Sequence, residues 1–259
     1  MDRAFVRLAV TLLGLALAWQ LAVWLAGLPH FILPGPRAVI AAFGLHGEVL
    51  WDDTLVTAAE VALGLVLGCG LGIGTALLIA AVRPARRWLL PVLIASQAVP
   101  VFALAPILVL WFGYGMASKV IMAALVIYFP VTASFSDGLR RTEPGWLDLA
   151  RTMGASRGTM LWHVRVPAAL PALGSGLRLA ASFAPIGAVI GEWVGSSAGL
   201  GYRMVQANAR LQIDLLFAAL IILAAIGVGL YYAVDSAVRA MVRWQPDTNP
   251  TDDDDMKRS

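Results

Sequence analysis

The sequence predicts an all-α polytopic membrane protein with six transmembrane helices. The chain of 259 residues is 59% hydrophobic and only 14% charged, whereas a soluble domain carries about a quarter charged residues. Its mean hydropathy is +0.78. Apolar runs of about twenty residues recur, and each is long enough to cross roughly 30 Å of hydrocarbon.

The predicted spans cover residues 8–28, 54–82, 89–112, 117–137, 172–195 and 214–238. Arg3 and Arg7 precede the first apolar run, as the basic residues of a signal peptide do. That run is longer than the apolar region of a signal peptide, and we find no small-residue cleavage site, so we interpret it as a retained helix. Residues 1–245 are predicted to form one transmembrane domain, and 246–259 a disordered, solvated tail.

The basic residues are distributed asymmetrically across the predicted topology. Fifteen of the 19 lysines and arginines share one side if the N-terminus is inside, and Arg37, Lys119, Arg203 and Arg210 lie on the other. Because cytoplasmic loops are enriched in Lys and Arg, both termini are predicted to be cytoplasmic. The same rule explains the net charge of +3 without invoking nucleic acid.

Five glycines in the second span could suggest either helix packing or a nucleotide-binding loop. They are Gly64, Gly68, Gly70, Gly72 and Gly74. A phosphate-binding loop requires a preceding strand and a following lysine, and neither is present here. Close helix packing is therefore the favoured interpretation. Prolines inside the later spans, at positions 91, 100, 106, 130 and 185, predict kinks.

Familiar catalytic motifs are missing from the sequence. It contains no G-x-x-x-x-G-K-[ST], no H-E-x-x-H, no Cys/His metal spacing and no G-x-S-x-G. We therefore expect no ATP site within this chain, no metal centre, no directly bound cofactor and no catalytic residue.

A few polar groups within the spans are candidates for a solute pathway. An intramembrane carboxylate suggests a cavity or a polar contact, and Glu60 and Glu192 both fall toward the outer leaflet. Gln97 lies beside Pro100 in the third span. Each candidate also has a structural alternative: pairing with donor groups or solvation at the interface for the glutamates, and an interhelical hydrogen bond for Gln97.

The polar loop between the fourth and fifth spans, residues 138–171, contains an ordered segment from 144 to 167, PGWLDLARTMGASRGTMLWHVRVP. Trp146, Leu149 and Met153 recur at i, i+3 and i+7, which predicts an amphipathic helix. Gly154 is placed to end that helix. A second short helix from Thr159 is predicted to end before Pro167. The first helix could lie on the inner leaflet or dock into a groove of a cytoplasmic partner.

This segment resembles the signature of permease subunits of type I ABC importers, which reads E-A-A, three residues, G, nine residues, I-x-L-P. Asp148, Leu149 and Ala150 take the first three positions and Gly154 the glycine, and Val164 to Pro167 close the pattern with unchanged spacing. Phe31 to Pro36, Leu108 to Gly113 and Ser196 to Gly201 resemble the nitrate, sulfonate and taurine permease branch. The runs 97–106 and 191–197 look most like hydroxymethylpyrimidine (thiamine-precursor) permeases.

The resemblance implies a permease in the inner membrane, with two copies of this chain forming the pathway for a small polar solute. Two ABC ATPases would use ATP and Mg²⁺ and would each receive a coupling helix. An extracytoplasmic binding protein would deliver the solute. The implied coupling residues are Trp146, Asp148, Leu149, Ala150, Arg151, Met153, Gly154, Ala155, Ser156 and Pro167.

An apolar chain with a polar loop also has other interpretations. The same machinery could carry a sulfonate, taurine or nitrate instead of a thiamine precursor. An ion-coupled secondary transporter needs ionisable groups near the midplane, and few are present. A membrane-embedded enzyme needs a cluster of reactive or metal-binding residues, which is missing.

Overall fold

The computed structural model describes residues 3–27, 29–96 and 98–244, and its regular elements are helices. In chain order they are α1 Arg3–Ala26, α2 Pro36–Leu45, α3 Gly47–Ala81, α4 Arg83–Ser96, a 3₁₀ helix Val101–Leu104, α5 Ala105–Phe112, α6 Met116–Arg140, α7 Pro144–Thr152, α8 Arg157–Met160, a π-helix Leu161–Arg165, α9 Val166–Gly195, α10 Leu200–Ala209 and α11 Ile213–Met241. The predicted tail at 246–259 lies outside the described residues.

Four helices are long and apolar enough to cross a membrane. They are Gly47–Ala81, Met116–Arg140, Arg157–Gly195 and Ile213–Met241. These correspond to the predicted second, fourth, fifth and sixth spans, so the all-helical membrane fold is confirmed and the count of six is not. In α1 the apolar stretch found among the described residues is Leu13–Ala26, which is shorter than a full span.

The predicted third span at 89–112 is interrupted, where its prolines had predicted only kinks. Helix α4 ends at Ser96, a 3₁₀ helix begins at Val101, and α5 begins at Ala105. Pro100 has an extended backbone, with φ −60° and ψ 117°, and it precedes the 3₁₀ helix. Proline has no N–H to donate and disfavours helical geometry in the residue before it, so the helical hydrogen bonds cannot continue through this point.

The second half of the polar loop also differs from the prediction, because the helical backbone that begins at Arg157 continues through Pro167. Helix α8, the π-helix and α9 follow one another without a break, and Pro167 is the second residue of α9. The N–H of Val166 bonds to the carbonyl of Leu161, five residues back. A wider π turn accommodates a proline whose ring would otherwise clash with the carbonyl four residues earlier.

Two short helices lie in segments that the sequence analysis treated as loops, α2 and α10. Pro36 stands at the start of α2, where its missing N–H is not needed. Helix α3 begins at Gly47, seven residues before the predicted span, with Glu48 in its first turn. These additional helices lengthen the ordered structure around the predicted second span.

The described residues belong to two compact units, each assembled from three stretches of chain. The first unit comprises Met1–Leu67, Pro100–Val126 and Phe183–Val228. Its core includes Val39, Leu50, Leu200 and Leu215, with Trp19 packed beside them. Gly64 lets α3 approach α6, since a Cβ there would lie 2.5 Å from the Cβ of Ala123.

The second unit comprises Gly68–Val99, Ile127–Ser182 and Gly229–Ser259. Arg178 of α9 and Asp235 of α11 form an ion pair at 2.6 Å inside it. At Gly72 a Cβ would lie 3.0 Å from Val131, which confirms close packing at this glycine. By contrast, nothing lies within 4 Å of a Cβ at Gly70 or Gly74, so the glycines of α3 do not all pack within this chain.

Candidate coupling surface and buried polar cluster

Helix α7 begins at a proline and is followed by the glycine that its sequence predicted would end it. Pro144 occupies the first turn. Gly154 follows the helix with φ +80°. Its N–H bonds to the carbonyl of Arg151, and the N–H of Ala155 bonds to the carbonyl of Ala150, both at 2.9 Å. This pair of bonds is a Schellman motif, and the left-handed conformation at its centre favours glycine.

The chain restarts as a helix two residues later. The hydroxyl of Ser156 accepts the N–H of Thr159 at 3.1 Å and so caps α8. At the far end of this segment, the guanidinium of Arg165 donates from Nε at 3.1 Å and Nη2 at 2.8 Å to the carbonyl of Leu139, at the end of α6. The polar loop is therefore fixed by hydrogen bonds at its centre and is hydrogen-bonded to α6.

The apolar side of α7 is exposed. Trp146, Leu149 and Met153 are 53%, 62% and 78% exposed. They border a cavity of about 590 Å³ whose lining also includes Trp244 and Pro171. On the polar side, Asp148 and Arg151 bond each other at 2.5 Å, and both side chains remain exposed. An exposed apolar helix face beside a groove is typical of a surface that docks a partner.

A second group of polar side chains is buried inside the first unit. Asp53, Thr57 and Glu60 lie at i, i+4 and i+7, on one face of α3, and Glu192 of α9 joins them. Glu60 and Glu192 are each 1% exposed, and Thr57 is fully buried. Buried polar groups require partners, and most of the partners here are found at the start of α10.

Side chains from α3 and α9 satisfy the free amides at the N-terminus of α10. Gly199 donates to Asp53 at 2.9 Å, and Leu200 donates to the hydroxyl of Thr57 at 2.8 Å. Gly201 and Tyr202 donate to Oε2 of Glu192, at 2.5 and 3.3 Å. The four amides that a helix leaves unpaired at this end are thus capped, next to a carboxylate that suits the positive end of the helix.

The glycines of the 196–201 loop are explained by this cap. Gly199 has φ +106°, and a Cβ there would lie 2.5 Å from the carboxyl carbon of Glu192. A Cβ at Gly201 would lie 2.8 Å from Oε2 of the same residue. Asp53 also pairs with Arg203 at 2.7 Å. This loop is therefore held by several buried polar contacts.

Of the remaining pathway candidates, Glu60 is brought together with Glu192 and Pro100 is not. Glu60 lies in the same cluster as Glu192, where its Oε2 has no hydrogen-bond partner among the described residues. Lys119, also buried, donates to the carbonyls of Tyr114 and Gly115. Pro100 is exposed at the break between α4 and the 3₁₀ helix. Gln97 lies outside the described residues.

Sequence reasoning found Glu60 and Glu192 but missed Asp53, Thr57, Lys119 and Arg203. The spacing of Asp53, Thr57 and Glu60 on one helical face was the available signal. For Lys119 and Arg203, assignment to outer segments suggested solvation rather than burial. Within the described residues, no group of three or more His, Cys, Asp or Glu is arranged to hold a metal ion.

Comparison with known proteins bears on both regions. Residues 68–245 match the family described as "binding-protein-dependent transport system inner membrane component". This match spans α6 through α9 and so includes the whole polar loop.

Three relatives cover most of the chain. A "probable ABC transporter permease protein" of Haemophilus influenzae is 57% identical over 85% of this chain and 90% of its own length. The riboflavin transport system permease protein of Chloroflexus aurantiacus is 38% identical, covering 92% and 90%. The formylaminopyrimidine transport permease protein of Halalkalibacterium halodurans is 35% identical, covering 95% and 99%.

A solved structure shares the fold. The crystal structure of an amino acid ABC transporter with histidines superposes with a TM-score of 0.59 at 19% identity, covering 79% of this chain and 98% of that one. At this identity the likeness concerns the fold alone.

Proposed function

The chain belongs to the binding-protein-dependent transport system inner membrane components, the permease subunits of type I ABC importers, and we propose that α7 couples import of a small solute to a partner ATPase. The observation that supports this role is the exposed face of Trp146, Leu149 and Met153 beside its groove. Apolar side chains outside the membrane are stabilised by a partner that covers them.

The geometry of the loop suits transmission of movement. Gly154 fixes how α7 ends, and the Ser156 cap fixes how α8 begins. From α8 the chain continues through the π-helix into α9 without a flexible break. A displacement of α7 would therefore reach α9 through short, hydrogen-bonded segments.

The proposed assembly follows from the family and from the topology. Two copies of this chain would form the pathway, and two ATPases would bind ATP and Mg²⁺ and receive one α7 each. A binding protein would deliver solute from the other side of the membrane. The excess of basic residues supports cytoplasmic termini, which would place α7 on the ATPase side.

We propose that the solute contains a pyrimidine ring, as hydroxymethylpyrimidine and related thiamine precursors do. A relative of 35% identity over nearly its whole length is named for formylaminopyrimidine transport. Another, at 38% identity, is named for riboflavin, whose ring system includes a fused pyrimidine. Relatives of 32% and 27% identity, named for aliphatic sulfonates and taurine, support the alternative substrates.

The coupling role is tested by comparing two exposed tryptophans. Trp146→Ala removes an anchor of the α7 face, whereas Trp88→Ala changes an exposed tryptophan of α4 that does not border the groove. We expect Trp146→Ala to weaken copurification of the ATPase by about tenfold or more, as loss of an interface anchor does. Equal copurification in both variants would contradict docking through α7 and favour a helix that lies on the inner leaflet.

The solute is tested by uptake into proteoliposomes containing the permease, its ATPase and its binding protein. The panel comprises hydroxymethylpyrimidine, formylaminopyrimidine, riboflavin, taurine and nitrate, each with and without ATP inside. ATP-dependent uptake confined to the pyrimidine-containing compounds is the expected result. Uptake of taurine or nitrate alone would refute the substrate proposal and leave the coupling role intact, while uptake driven only by an ion gradient would refute the coupling role.

A further inference from the structure

A small basic cavity lies inside the second unit, separate from the groove beside α7. Its volume is about 210 Å³. Ala76, Ile79 and Ala80 of α3 supply its apolar wall. Its polar lining consists of Arg86 of α4, Ser136 and Arg140 of α6, and Arg165 of the π-helix.

Positive charge exceeds negative charge at this cavity. Arg140 faces Asp137 at 4.0 Å, and Asp137 is shared with Arg141 at 3.8 Å. In the part of the chain that the structure describes, neither Arg86 nor Arg165 has a carboxylate within 4.0 Å. Arg165 uses Nε and Nη2 on the carbonyl of Leu139, which leaves its Nη1 group available. Of the three guanidinium groups that line the cavity, only that of Arg140 therefore lies near a carboxylate, an arrangement that an anion would stabilise.

The hydroxyl of Ser136 is an independent indication of a ligand. Ser136 lines the cavity and is 7% exposed, and its oxygen has no hydrogen-bond partner among the described residues. Several other helical serines bond to a carbonyl of their own helix, as Ser175 does to Pro171 and Ser182 to Arg178. A buried hydroxyl without a partner is uncommon and points to a group that binds there.

We propose that this cavity binds a phosphate group, held by Arg86, Arg140, Arg165 and Ser136. Guanidinium groups match phosphate oxygens in geometry and in charge. Pockets for drug-sized molecules measure about 300–1,000 Å³, so a cavity of about 210 Å³ suits one phosphate group rather than a whole metabolite. The site does not depend on the coupling role of α7.

Two sources could supply the phosphate. The basic-residue distribution puts Arg86 and Arg140 on the cytoplasmic side, where anionic lipid headgroups are concentrated. Free inorganic phosphate is the other source. A neighbouring cavity of about 540 Å³ shares Arg140 and Arg165 and is also lined by Arg151 and Arg157, so further positive charge surrounds the site.

The test uses the purified full chain in detergent and two probes. Radiolabelled inorganic phosphate is measured by equilibrium binding, and phosphatidylglycerol by native mass spectrometry against phosphatidylcholine. The variants are Arg86→Gln and Ser136→Ala, with Arg87→Gln and Ser175→Ala as matched controls that do not line the cavity. We expect Arg86→Gln to weaken binding about tenfold and Ser136→Ala about threefold, with both controls unchanged.

The two arms distinguish the source. Selective retention of phosphatidylglycerol that phosphate does not displace identifies a lipid headgroup, and saturable phosphate binding without lipid selectivity identifies a free anion. Absence of both signals would overturn the proposal. So would equal losses of affinity in Arg86→Gln and Arg87→Gln, because the charge of the surface as a whole would then explain any binding.

Discussion

The hydroxyl of Thr57 donates to Oε1 of Glu192 at 2.6 Å. The same hydroxyl accepts the N–H of Leu200 at 2.8 Å. One threonine thereby joins α3, α9 and the first turn of α10, and it uses both its donor and an acceptor lone pair. Because all of these groups are buried, neither contact can be exchanged for water without cost.

Thr57→Val keeps the shape of the side chain and removes both contacts. We expect the free energy of unfolding to fall by about 1–3 kcal/mol, since a buried amide and a buried carboxylate oxygen lose their partner. Thr54→Val is the matched control, because the hydroxyl of Thr54 bonds only to Leu50 of its own helix. Thermal unfolding of the purified protein measures the difference, and equal midpoints for the two variants would count against the capping role.

Glu192→Gln separates two roles for this residue. The amide nitrogen of glutamine cannot accept a hydrogen bond, so either Thr57 or the amides of Gly201 and Tyr202 lose an acceptor. A capping role predicts lower thermal stability, by about 1–3 kcal/mol, together with weaker uptake of every transported solute. The control is Glu48→Gln, because the glutamate it replaces is exposed. Unchanged stability with uptake altered for particular solutes would instead support a place in the solute pathway.

Gly154→Val is expected to uncouple ATP hydrolysis from uptake. A β-branched residue at φ +80° is strained, by about 1–2 kcal/mol, although a Cβ at this position meets nothing within 4 Å. Relief of that strain would change how α7 ends. Gly154→Asn should couple better than valine does, since asparagine tolerates this backbone conformation. Gly145→Val, inside α7 and equally open, is the control. Parallel assays of ATP hydrolysis and solute uptake in proteoliposomes measure the coupling. If Gly154→Val still couples the two, the proposed role of Gly154 is refuted.

Gly64→Ala and Gly70→Ala should have opposite effects on stability. The new methyl group at position 64 would lie 2.5 Å from the Cβ of Ala123, and overpacking of this kind destabilises by about 1–3 kcal/mol. At position 70 no atom lies within 4 Å, and alanine stabilises a helix relative to glycine by about 0.5–1 kcal/mol. Thermal unfolding of both variants in detergent tests the packing of α3. A destabilising Gly70→Ala would show that a contact outside this chain covers that face.

The features predicted correctly from the sequence depend on residues close together in the chain. Apolar runs indicated the four long helices, and the spacing of Trp146, Leu149 and Met153 indicated α7. Gly154 marked where α7 ends. Prolines indicated a distortion of the third span. Whether the helix kinks or is interrupted depends on whether surrounding groups bond the freed carbonyls. The local sequence does not specify those groups.

The cap of α10 was decided by tertiary structure alone. The bonds that α3 contributes to this cluster join residues 135 to 146 positions apart, such as Thr57 with Glu192 and Asp53 with Gly199. No periodicity connects residues at such distances, so Glu192 could be identified from the sequence as a buried carboxylate but its partners could not. The sequence by itself determined the membrane class, the family and the helix α7, because hydropathy, spacing and backbone conformation are local properties. Only the folded chain decided which polar groups meet in its interior, because burial makes a hydrogen-bond partner necessary without indicating where in the chain it lies.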